Sequence, residues 1–334
     1  METRSVLIQN LCVPCACRCC YCLLSWDGRP VGVSWERGAE YALRFRAWQR
    51  AHRPELRFRY AFGYAMEPPD WRAALSLLRA LDSPQIEYLQ CDGMRMRDAA
   101  ACAALTELLA SEGVKRLNFT FYGLPEYHDR FAGRSGDFAL MLRMMGAAAA
   151  AGLSVSAGIP LTAESAPQAD ALIGILRGQA AGAHIFLFVP HGEGRGARLQ
   201  PIRFSEDDLA ALSADTARLL NRELFRPEHE WLSEDAFTEE TARTLLVSLR
   251  SDNIGRYAAM EPGELIAENE ALDDRYYAAF PTLPALAQRY GDPAGTRFYR
   301  QRDLFHHYRR LYAAEHGVSV YDVTDERQSG SRRY

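Results

Sequence analysis

The sequence predicts an α/β fold, a partial and open barrel of six βα units followed by a mostly helical extension. Over residues 1–220, strand-like and helix-like segments alternate at nearly constant spacing, as they do in parallel βα units. Several of the strands alternate polar with apolar side chains. A closed eight-stranded barrel fills its interior with branched apolar residues, so a polar inner face points to an open barrel that holds a partly polar ligand. After about residue 221 the alternation stops and helical, aromatic-rich segments take over. The expected organisation is a TIM-like partial (βα)6 barrel over 1–220 and a helical C-terminal extension over 221–334.

The strands are expected to begin near Ser5, Leu56, Gln85, Arg116, Leu153 and His184. Between them lie stripes with helical spacing: Ala74, Leu77, Leu78 and Leu81, then Phe138, Met141, Leu142 and Met145, then Ala169, Leu172, Ile173 and Leu176. These stripes read as core. In RLNFTFYG, Leu117, Phe119 and Phe121 should face the helices while Asn118, Thr120 and Tyr122 face the other way. Ser154 and Ser156 repeat the pattern in the next strand. A helix over Ser205 to Leu220 closes the sixth unit, and further helices are expected over Glu239 to Arg250 and Arg302 to Glu315.

Composition narrows the chemistry. Lys115 is the only lysine among 39 basic residues, so a lysine Schiff base would have to use it, and no phosphate-binding G-x-x-x-x-G-K-[ST] loop occurs. No run of 18 apolar residues and no signal-like N-terminus is present, which predicts a cytoplasmic protein with reduced cysteines and no membrane partner. The net charge of −4 gives no footprint for nucleic acid.

Six of the eight cysteines (Cys12, Cys15, Cys17, Cys19, Cys20 and Cys22) fall in LCVPCACRCCYC, directly after the first strand. A zinc ribbon needs a second C-x2-C pair some 12 to 20 residues away, and none stands there. The bacterial ferredoxin run C-x2-C-x2-C fails at Arg18, whereas the plant-type C-x4-C-x2-C fits Cys12, Cys17 and Cys20 but leaves only distant Cys91 as a fourth ligand. The spacing C-x3-C-x2-C fits once, at Cys15, Cys19 and Cys22, with Tyr21 before the last cysteine. Three thiolates so spaced hold three irons of a [4Fe–4S] cube and leave the fourth open to a ligand.

The motif and its place after the first strand resemble the radical S-adenosylmethionine (SAM) superfamily, whose signature is C-x3-C-x-aromatic-C on a partial (βα)6 barrel. The resemblance implies that SAM chelates the open iron and is reductively cleaved to methionine and a 5′-deoxyadenosyl radical, which takes hydrogen from a substrate. It also implies a flavodoxin or ferredoxin as electron donor. Where the family has Gly-Gly-Glu-Pro after the second strand, this chain has Ala65, Met66, Glu67 and Pro68, which keeps a carboxylate for the SAM amino group and lacks both glycines. Asn118, Thr120 and Ser156 stand where ribose or the methionine carboxylate would be bound, Gly158-Ile159-Pro160 resembles the family's adenine contact, and Arg195 in HGEGRG could pair with the SAM carboxylate.

Substrate-facing candidates follow the third and fourth strands. Cys91, Asp92 and Gly93 lie at the end of the barrel where ligands bind, and Cys91 is a candidate hydrogen donor to a substrate radical. The connection FYGLPEYHDRFAGRSGDF carries Tyr122, Tyr127, His128, Asp129, Arg130, Arg134 and Asp137, and His128 and His191 are candidates for acid–base work. No cysteine follows Cys102, so the resemblance implies one cluster and no auxiliary-cluster domain. The expectation is a radical SAM enzyme acting on a small organic or peptide substrate. The alternatives are an iron–sulfur electron-transfer or sensing protein and a zinc-binding interaction module.

Overall fold

The computed structural model describes residues 2–10, 15–22, 33–61, 67–83, 86–192, 194–233 and 242–318. Six parallel strands appear where they are expected: β1 (Glu2–Asn10), β2 (Arg57–Ala61), β3 (Tyr88–Gln90), β4 (Arg116–Thr120), β5 (Ser154–Pro160) and β6 (His184–Phe188). They form two parallel sheets. β2 pairs with β1 in one, and β3, β4, β5 and β6 follow in chain order in the other; no pairing joins β2 to β3 among the described residues.

Strand alternation sets the two faces of the second sheet. Leu117, Phe119 and Phe121 are at most 1% exposed and pack against the helices, each burial contributing about 1.5–3 kcal/mol. The expected stripes supply the other side of this core, on α2 (Trp71–Ala80), α5 (Asp137–Ala150) and α6 (Ala169–Gln179). Asp70 starts α2 by accepting from the backbone N–H groups of Arg72 and Ala73, 2.8 and 3.1 Å away. The segment expected as one helix over Ser205 to Leu220 is two short ones, α7 (Glu206–Ala210) and α8 (Ala214–Ala217), because Ser213 begins a new helix by capping Thr216 N–H.

One expected helix is a strand. Residues 242–249, within the segment Glu239 to Arg250, form β8 (Ala242–Leu249), which pairs in parallel with the free edge of β1 to give the order β2-β1-β8. Leu245, Val247, Ser248 and Leu249 are all buried. Exposed Thr244 and half-buried Leu246 alternate with buried Leu245, Val247 and Leu249, but in the sequence Leu245, Leu246 and Val247 form a short apolar run, which periodicity alone does not assign to strand or helix. The C-terminal part is thus helical apart from β8 and a short antiparallel pair, β7 (Arg226–Pro227) with β9 (Phe298–Tyr299).

The C-terminal helix α13 (Gln301–His316), expected over Arg302 to Glu315, packs with α12 (Leu283–Tyr290) around Leu286, Leu304, Phe305 and Tyr308. It also grips the chain after β6: Asp303 Oδ1 accepts from Gly192 N–H at 3.0 Å, and Arg310 donates to the Gly192 carbonyl. Arg203, buried, stacks on Tyr299 and donates to the Phe298 carbonyl at 2.7 Å. No helix among the described residues is long and apolar enough to cross a membrane.

Candidate active site at the cysteine loop

The cysteine segment 15–22 is held by backbone hydrogen bonds to the connections that follow β3, β4 and β6. Ala16 N–H donates to the Gly93 carbonyl after β3 at 3.1 Å. Arg18 and Cys20 N–H donate to the carbonyls of Ala132 and Phe131 at 2.7 and 2.9 Å, on α4 (Pro125–Ala132), the helix that follows β4. Arg195 N–H donates to the Cys22 carbonyl at 3.2 Å, from the 3-10 segment Gly194–Ile202 that follows β6. Gly133 permits the α4 contact. Its φ of +65° is left-handed, and a Cβ there would stand 2.8 Å from Arg18 Cβ and 2.9 Å from the Arg18 carbonyl oxygen.

Among the described residues Cys15, Cys17, Cys19, Cys20 and Cys22 form no disulfide. Cys15, Cys17 and Cys19 come together with Tyr21, Tyr122 and Phe131 as neighbours. Cys17, buried, points its thiol hydrogen to Asp137 Oδ2 at 3.7 Å and lies against Cys15. Interaction with Cys17 lowers the Cys15 thiol to about 7 against the opposing effect of burial, while contact with Cys15, contact with Cys19 and burial push Cys17 far up. The Tyr122 hydroxyl donates to Cys19 Sγ at 3.3 Å. Tyr21 packs edge-on to Tyr122, with ring centroids 5.5 Å apart, so this aromatic residue seats the loop on α4.

Behind the loop the residues of the fourth connection form a buried network. His128 Nδ1 accepts from Tyr122 N–H at 3.1 Å, which leaves the proton on Nε2, 3.0 Å from Asp137 Oδ2. Asp137 also pairs with Arg134. His128 is therefore committed to holding the loop, and the second candidate for acid–base work, His191, lies 3.7 Å from Asp303.

In front of the loop, the polar face of the second sheet carries Gln90, Asn118, Ser156 and His184 in one register row. The next row on that face is Thr120, Gly158 and Phe186, with Phe186 exposed. A Cβ on Gly158 would meet the Phe186 ring at 2.8 Å, so the glycine lets this ring lie over β5. Asn118 and Ser156 thus share a face, as the alternation predicts, and Arg195 reaches the loop from the far side, bringing positive charge toward Cys20.

Two expectations are corrected here. Cys91 has the parity of Leu89: its Sγ faces the Leu89 carbonyl at 3.9 Å within the apolar core, which raises its pKa by burial, so it does not face the polar side as a hydrogen donor must. Asp92, one residue on, does. Glu67 is buried with both oxygens on the Arg97 guanidinium, 2.5 and 2.9 Å, and accepts from Arg95 N–H at 3.1 Å. A carboxylate so paired is a structural anchor for the segment after β3, not a free acceptor. Ala65, Met66 and Cys12 lie outside the described residues.

The site residue that sequence reasoning undervalued is Asp92. Its Oδ1 accepts from Thr120 N–H at 3.0 Å, and its Oδ2 from Thr120 Oγ1 and Gln90 Nε2 at 2.7 and 2.5 Å. Burial, with these three bonds opposing it, pushes the carboxyl up to about 6. The strand YLQ followed by Cys-Asp held the signal, since Gln90 and Asp92 share a parity opposite to Leu89.

No family model and no curated protein matches the chain. Among solved structures it is similar to Streptococcus suis SuiB bound to the precursor peptide SuiA, at 12% identity and a TM-score of 0.44, over 74% of this chain and 49% of that one. It is also similar to anSMEcpe with bound AdoMet (14%, TM-score 0.39, 56% and 51%) and to Escherichia coli coproporphyrinogen III oxidase, HemN (16%, TM-score 0.34, 65% and 50%). The last is a radical SAM enzyme. The chain spans about half the length of each of these structures, and at such TM-scores the likeness does not bear on function.

Proposed function

We propose that this chain is a radical SAM enzyme in which Cys15, Cys19 and Cys22 hold one [4Fe–4S] cluster. One observation carries the proposal: a loop with the C-x3-C-x-Tyr-C pattern is fastened to the connections that follow β3, β4 and β6, at the end of a sheet whose polar row is of the kind that receives ligands in parallel α/β proteins. The donor set fits the group. Within 15–22 the metal-binding side chains are sulfur alone, which suits an iron–sulfur cube, and the Tyr122 hydroxyl is placed to donate to a ligand sulfur.

When bound, the cluster and SAM supply a 5′-deoxyadenosyl radical for hydrogen abstraction. The chain's own residues orient and enclose. The Cys17 thiol favours ionised Cys15, the His128–Asp137–Arg134 network fixes the loop, and Asn118, Ser156 and Arg195 offer hydrogen bonds to the ribose and carboxylate of SAM. The substrate is a small organic molecule or a peptide, received on a face that offers both polar groups and the exposed Phe186 ring. A flavodoxin or ferredoxin supplies the electron. In this proposal 1–220 forms the open barrel that carries the site, and the C-terminal part extends its first sheet through β8, which pairs with β1.

Anaerobic reconstitution followed by reduction with dithionite in the presence of SAM tests this. About four irons and four sulfides per chain, with 5′-deoxyadenosine formed, is the expected result. A cluster that forms without any 5′-deoxyadenosine would make the chain an electron carrier or sensor. Zinc without iron would make it an interaction module.

A further inference from the structure

We infer that Asp92, in place of Glu67, receives the α-ammonium group of SAM at this site; the inference rests on the radical SAM proposal. Placement comes first. Asp92 directly precedes Gly93, whose carbonyl accepts from Ala16 between Cys15 and Cys17, so its backbone is one residue from the cysteine loop. Its charge is felt at Cys15, Tyr21 and Tyr122, which line that loop. Its side chain stands on the same sheet face as Asn118 and Ser156.

Charge balance comes second. The buried carboxylates around the loop each have a cation: Glu67 has Arg97 and Asp137 has Arg134. Asp92 is held only by neutral donors, Thr120 and Gln90, and no ion pair to it occurs among the described residues; Asp129 also lacks one, but both its oxygens are engaged by the Gly136 and Phe138 N–H groups at the start of α5. A partly buried carboxylate without a counter-charge is costly by itself and rewards a cationic ligand. Its Oδ1 accepts one hydrogen bond, from Thr120 N–H, and keeps a lone pair for another donor. Glu67 cannot serve equally, because taking a ligand ammonium would mean surrendering the Arg97 fork.

A primary ammonium could also come from an amine-bearing substrate, so the test uses SAM with no substrate present. Equilibrium binding of SAM is measured on the full chain, anaerobically reconstituted and matched for iron and sulfide content, for wild type, Asp92→Asn and Glu67→Gln. Asp92→Asn should weaken SAM binding roughly ten- to hundredfold, the range for losing a charge-assisted hydrogen bond. It should leave unchanged the binding of 5′-methylthioadenosine, which has no ammonium, and Glu67→Gln should keep SAM affinity within about threefold. Asp92→Asn with wild-type SAM affinity, or with equal losses for both ligands, would overturn the inference. So would a larger loss in Glu67→Gln. A wild-type chain that carries its cluster and binds no SAM would instead bring down the proposed function, and this inference with it.

Discussion

Tyr122 Oη donates a 3.3 Å hydrogen bond to Cys19 Sγ, linking the end of β4 to the cysteine loop. Tyr122 is held by its own backbone N–H on His128 and by the rings of Tyr21 and Phe131. A donor fixed on a ligand sulfur stabilises the more negative, reduced cluster and raises its potential. Tyr122→Phe keeps the ring and removes the donor. The reconstituted variant should show a reduction potential lower by on the order of tens of millivolts, measured by redox titration followed by electron paramagnetic resonance. An unchanged potential would remove Cys19 from the ligand set or Tyr122 from contact with it.

The six clustered cysteines are not equivalent. Cys17 is buried, donates its thiol hydrogen to Asp137 and lies against Cys15, an arrangement that opposes its ionisation and hence metal ligation. Cys17→Ala should therefore keep near wild-type iron and sulfide content and 5′-deoxyadenosine formation, whereas Cys22→Ala should lose both. Equal losses in the two variants would contradict the ligand set Cys15, Cys19 and Cys22.

Arg97 and Glu67 form a buried pair, with side chains 8% and 7% exposed. Arg97→Ala would leave buried Glu67 with only the exposed Arg95 guanidinium, 3.4 Å away, as its cation, at a cost of up to about 3–5 kcal/mol. Arg97→Ala should lower the urea midpoint accordingly, and Arg97→Ala/Glu67→Gln should recover part of the loss because no lone charge remains. A double variant no better than Arg97→Ala would argue that the pair contributes packing and not charge balance.

How much of this was legible in the sequence follows from the range of each interaction. The six strands, the core stripes and the polar parity of Asn118 and Ser156 are local patterns, and they appear in the structure as expected. β8 escaped because its short apolar run Leu245-Leu246-Val247 does not by itself separate strand from helix. Glu67 looked like a free carboxylate because its partner stands 30 residues away, and Cys17 looked ambiguous because Asp137 stands 120 residues away. Such pairings are set by tertiary packing alone. Cys91 is different: its parity with Leu89 was present in the sequence and already pointed it into the core.

Asp92 gives a pH signature with a definite sign. Its carboxyl is raised to about 6 from an ordinary value of 3.8, so the folded state holds this proton more tightly than the unfolded chain. The resulting stabilisation is complete below the unfolded value and is lost as pH rises through about 6. Asp137 and Asp303 have the opposite shift and weaken the fold in acid, but they are common to wild type and Asp92→Asn and cancel in the comparison. Asp92→Asn should therefore unfold at a higher urea concentration than wild type at pH 8, with the advantage shrinking towards pH 5, when no SAM is present. Adding SAM to the cluster-loaded protein at pH 8 should narrow or reverse that advantage, because the ionised carboxylate then has its cation. An advantage of constant size across pH 5 to 8 would show that Asp92 is not held against ionisation by its surroundings.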